Sequence, residues 1–116
     1  MASLDTLSST DAFEVEVRPD RARVIVRPVG EMDFATVGRV SAEVDALIRV
    51  GFAEIVLDLR ELTFMDAAGL RVVVRYARRD DVTVRLINGP PVVARLFGLA
   101  ELPEPPATLA PKRSDI

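Results

Sequence analysis

Four carboxylates are the groups in this sequence best suited to chemistry: Glu31, Asp33, Asp58 and Asp66. Paired acids can move protons as general acid and base. Nothing beside them completes a catalytic set. The sequence has no histidine and no cysteine, which removes the commonest general base, the commonest metal ligand and any thiolate nucleophile. Gly30 and Gly69 stand alone and make neither a dinucleotide fingerprint nor a phosphate loop. Binding is therefore expected rather than turnover, with no catalytic residue, metal or cofactor.

The best binding candidate is the run Asp66-Ala67-Ala68-Gly69. Asp66 suits a helix N-cap, because its carboxylate can accept from the free N–H groups of a first turn and the helix dipole favours its charge. Just before it, Ile55 to Leu59 is an apolar run broken only by Asp58, which fits a strand covered on both faces. Strand, tight loop over residues 60–65 and helix would gather backbone N–H groups at the carboxyl end of a strand, where open α/β sheets carry their sites. Asp58 is expected at the strand end, forming a hydrogen bond there.

The remaining elements follow from periodicity. Phe13 to Val17 alternates strictly, 18–21 reads as a turn, and Arg23 to Arg27 is a second strand, which predicts an N-terminal hairpin. The stretch from Pro28 to Asp33 ends that strand, and Asp33 or Thr36 caps the next helix. Over 36–50 the residues Val37, Val40, Val44, Leu47 and Ile48 share one helical face, and Gly51 suits a left-handed stop. Leu70 to Tyr76 could be a strand by propensity; the Asp66 cap and the need for a crossover favour a helix. That helix has Leu70, Val73, Val74 and Ala77 on one face and Arg71, Arg75 and Arg78 on another, the arginines reading as a solvated row in preference to a dock for an acidic partner. Val82 to Ile87 is a strand parallel to 55–59, so 54–87 is a right-handed βαβ unit. A helix starting near Pro91 carries Val92, Val93, Leu96 and Phe97 on its apolar face and stops at Gly98.

Three segments of this chain resemble the STAS domain, a family named for sulphate transporters and anti-sigma-factor antagonists. One is LTFMDAAGL over 62–70, where the family usually has Asp-Ser-Ser-Gly-Leu. Another is Gly30-Glu31-x-Asp33, which in the family lies beside the phosphorylatable loop, and the third is Arg95 to Leu99. The resemblance implies an α/β fold: a STAS-like mixed sheet of four to five strands with an N-terminal hairpin, a parallel βαβ unit and about three helices. Asp66, Gly69 and Leu70 match the family, whereas Ala67 stands where a partner kinase phosphorylates the first serine and Ala68 where the second falls. No phosphoacceptor is expected at position 67. By the same resemblance the partner-facing residues are Glu31, Asp33, Thr63, Asp66, Ala67, Ala68, Gly69 and Arg71.

Composition sets the outer limits. The chain has 116 residues, 49% hydrophobic and 28% charged, with a formal net charge of −3. That is one ordinary globular domain, with no charge signature for nucleic acid. No apolar span is long enough for membrane insertion and the first residues lack a signal pattern, so a cytoplasmic location is expected. The expected divisions are a flexible leader over 1–11, a STAS-like domain over 12–102 and a proline-rich tail over 103–116, with an edge strand conceivable at 107–110. The resemblance implies an anti-sigma factor of the serine-kinase type as partner. The alternative of another class is an accessory or scaffold subunit of an ABC-type lipid transporter. A ligand-sensing loop pocket and a homo-oligomer stay open.

Overall fold

The computed structural model describes residues 12–99; the expected leader, tail and edge strand lie outside them. Alternation and a two-residue turn produce β1 (Glu14–Asp20) and β2 (Arg23–Met32), antiparallel with Asp20 opposite Arg23. The turn is tighter than expected: 18–20 stay in the ladder, and Arg21 turns the chain at φ 60°. Among the described residues β1 pairs on one side only, which tolerates Pro19.

Proline also fails to end β2, which runs on to Met32. β3 (Glu54–Asp58) pairs with β2 as far as Val26, and β4 (Leu62–Met65) takes over from Gly30, so Pro28 falls in the gap between them. The Gly30 N–H donates to the Glu61 carbonyl at 3.2 Å. Two residues earlier, the Pro28 nitrogen faces the same side, where no ladder bond is needed. Gly30 itself has φ 110° and marks a shift of register, a conformation open to glycine.

The expected tight loop before Asp66 is in fact the strand β4, parallel to β2 with Met32 opposite Met65. β3 and β5 (Thr83–Ile87) are parallel across α2 (Ala67–Ala77), as the βαβ reading requires. The sheet order is β1-β2-β3-β5 with β4 on β2, and α1 (Val37–Val50) and α3 (Pro91–Leu99) complete a mixed α/β fold. Gly51 closes α1 at φ 109°. Gly98 does not stop α3, which includes it.

One face of the sheet carries the main core: Val24, Val26, Ile55, Leu57, Val84 and Leu86 pack with Val40, Val44, Val72, Val73 and Val93. Strand alternation sends Ile25, Val56 and Ile87 into a smaller cluster on the opposite face. The inward stripe of α2 is rotated from the expected one: Gly69, Val72, Val73 and Tyr76 are buried, and Leu70, Val74 and Ala77 are half-buried. Tyr76 decides the rotation, because its hydroxyl donates to Asp45 on α1 at 2.7 Å while its ring fills the core. Burial, then the Asp45 hydrogen bond, pushes its hydroxyl pKa up. Val92 of α3 is 53% exposed, not part of the packed face.

Candidate functional site

Two loops meet where β2 and β4 end. The first, residues 33–36, is fixed by its own polar groups. Asp33 Oδ1 accepts from the N–H groups of Ala35 and Thr36 at 2.9 and 3.1 Å. The Thr36 hydroxyl donates to the Glu31 carbonyl at 2.7 Å and accepts from the Asp33 N–H at 2.9 Å. Thr36 thus occupies the N-cap position of α1, where, contrary to expectation, no side chain caps the helix; the Asp33 carboxylate closes the turn before it, and the Asp33 carbonyl accepts from the Val37 N–H at 2.8 Å. Thr36 is fully buried beneath the turn.

The second loop is the start of α2. Asp66 Oδ1 accepts from Ala68 N–H at 2.9 Å and from Gly69 N–H at 3.1 Å, the expected cap. Its other oxygen accepts from Phe34 N–H at 3.2 Å, and the Asp66 N–H donates to the Met32 carbonyl at 3.3 Å. One carboxylate therefore starts a helix and joins both loops.

The geometry sorts the expected site residues. Glu31, Thr63, Ala67 and Arg71 are exposed, and Asp33, Asp66 and Ala68 are half-buried. Glu31 lies one position before Met32, and its register partner is Phe64, so both acids of the Gly-Glu-x-Asp segment flank the 66–69 corner. Gly69 is the exception. It is buried against Met32, and a Cβ there would lie 2.8 Å from both the Met32 carbonyl oxygen and Met65 Cγ. It sets how closely α2 approaches β2 and offers no surface of its own.

Asp58 does not join this corner. It ends β3 fully buried, where Arg27 Nε donates to it at 2.8 Å and Arg60 Nε and Nη2 donate at 2.9 and 2.8 Å. Burial pushes its carboxyl pKa up, but the Arg60 and Arg27 donors outweigh that and hold it below the ordinary value. The opposed charges make this a fully partnered structural cluster. The Asp33 and Asp66 carboxylates are likewise occupied by backbone donors. Among the described residues no group of three or more potential ligands could hold a metal ion, and no helix is long and apolar enough to cross a membrane.

Two features escaped the sequence reading. Phe34 is 86% exposed and Phe64 is 43% exposed. Phe34 sits inside the turn before α1, outside any apolar period, and that position is the signal that could have revealed it.

A corner built from two such loops, with an alanine at the helix start, can be compared with known proteins. The STAS domain family model matches residues 12–114. The chain belongs to the STAS domain family. The solved structures similar to this STAS domain include an anti-sigma factor antagonist from Mycobacterium paratuberculosis, at 20% identity and a TM-score of 0.70, covering 79% of this chain and 80% of that one. They also include the Bacillus cell fate determinant SpoIIAA in its phosphorylated form, at 24% identity and a TM-score of 0.65, covering 89% of this chain and 94% of that one. The unphosphorylated form of the antagonist SpoIIAA matches at 23% identity and a TM-score of 0.64, covering 89% and 92%. These likenesses establish the fold, a five-strand mixed sheet with three helices among the described residues.

Proposed function

We propose that this STAS domain is a non-enzymatic, cytoplasmic antagonist that binds an anti-sigma factor of the serine-kinase type and frees the sigma factor without phosphorylation control. Ala67 carries the reading. It is exposed at the first position of α2, next to the Asp66 cap, where the family has its phosphorylated serine. A phosphate there would add about −1.5 to −2 charges. The helix N-terminus accepts an anion, so the effect of such a group falls on the partner through clash, desolvation and repulsion. With alanine the surface stays small and neutral, permanently in the docking state. With Ala67, the residues proposed to contact the partner are Glu31, Asp33, Thr63, Asp66, Ala68 and Arg71.

The test is to mix the chain with the purified anti-sigma kinases of its source organism and ATP. The expected result is a stable complex, equally tight with and without ATP, and no phosphate on residue 67. Phosphorylation of another residue in 63–68 that releases the partner overturns constitutive binding. Binding to a transporter ATPase or permease instead supports the scaffold reading.

A further inference from the structure

Phe34 combines two properties that rarely coincide: an exposed ring on a rigid turn. Phe34 is 86% exposed, the most exposed large hydrophobic of the described residues. Its backbone is held by the Phe34–Asp66 hydrogen bond at 3.2 Å, and the flanking residues by the Asp33 and Thr36 bonds. Nothing in that internal network uses the ring, since each bond runs through backbone or polar atoms. An aromatic side chain on a turn already fixed loses little further freedom on binding, which favours it as an anchor.

The surroundings narrow what it can meet. Ala67 is exposed and Phe64 is 43% exposed on the adjoining strand end. Beside these apolar groups lie Glu31, the register partner of Phe64, and Asp33 and Asp66, which hold the turn and the helix start, with Arg71 one turn further along α2. A second copy docking through the same corner would set acid rim against acid rim, which opposes two-fold self-association. An anionic lipid surface is disfavoured for the same reason.

We infer that Phe34 is the anchor of the docking corner, and that its occupant is a protein partner with an apolar socket for one aromatic ring, rimmed by lysine or arginine. This rests on the proposed function and specifies the partner surface it requires.

The experiment measures binding of wild type, Phe34→Ala, Phe34→Tyr and Ala67→Asp to the purified anti-sigma kinases of the source organism, with thermal melts of each variant. Phe34→Ala is expected to weaken binding about 30-fold or more, with a melting temperature within about 2 °C of wild type. Phe34→Tyr should retain most of the affinity, and wild-type affinity should fall as salt rises. A Phe34→Ala affinity within about threefold of wild type overturns the anchor. If Ala67→Asp still abolishes binding in that case, the corner remains the docking site and only the anchor falls. If neither substitution matters, or wild type binds none of the kinases, both readings fall. A Phe34→Ala effect confined to self-association in sedimentation assigns the ring to a second copy and overturns the socket.

Discussion

The Phe34 N–H donates to Asp66 Oδ2 at 3.2 Å, across 32 positions of sequence, while Asp66 Oδ1 takes the N–H groups of Ala68 and Gly69. The two loops of the corner therefore share one carboxylate. Losing an N-cap costs about 1 kcal/mol, and the inter-loop bond adds roughly another 1 kcal/mol. Asp66→Ala is expected to lower stability by about 2 kcal/mol in urea unfolding and to weaken partner binding as well. Asp66→Asn keeps an acceptor and should fall between the two.

The Asp58 cluster predicts a larger loss and a pH dependence. Removing one partner of a buried ion pair costs about 3–5 kcal/mol, so Asp58→Ala should be strongly destabilising, because the donors of Arg27 and Arg60 that converge on the buried carboxylate lose it. The folded-state carboxyl pKa lies below its unfolded value. The stabilisation it gives is therefore present above the unfolded pKa of about 3.9 and is lost as pH falls through the folded value. Urea titrations of wild type and Asp58→Asn should differ most near neutrality and converge at acid pH.

Two helical glycines predict opposite signs for one substitution. A Cβ on Gly38, in α1, meets nothing within 4 Å, whereas on Gly69 it meets the Met32 carbonyl at 2.8 Å. Gly38→Ala should stabilise by roughly 0.5–1 kcal/mol through helix propensity. Gly69→Ala should destabilise by about 1–3 kcal/mol, because backbone has to shift. Chemical unfolding of both variants checks the pair.

The ease of reading each element follows the range of the forces that shape it. The hairpin, α1, the Asp66 cap and the parallel β3–α2–β5 unit rest on alternation, helical spacing and capping chemistry, which are local and visible in residue types. What escaped depends on distant partners. β4 is a strand because β2 extends past Pro28 to meet it, and that extension needs the gap between β3 and β4. The rotation of α2 follows from Tyr76 reaching Asp45, and Gly69 is buried because Met32 lies against it. At the corner, Asp33, Asp66 and Ala67 could be singled out by motif, whereas the exposure of Phe34 emerges only once the turn around it is built.

Ala67→Asp tests docking at position 67 without dismantling the fold. An acid at a helix N-terminus is tolerated or favourable, by about 0.3–1 kcal/mol, so the melting temperature should hold or rise slightly. Calorimetric titration against the anti-sigma kinase should show affinity falling about tenfold or more. An affinity equal to wild type, with the fold intact, would contradict docking at this corner.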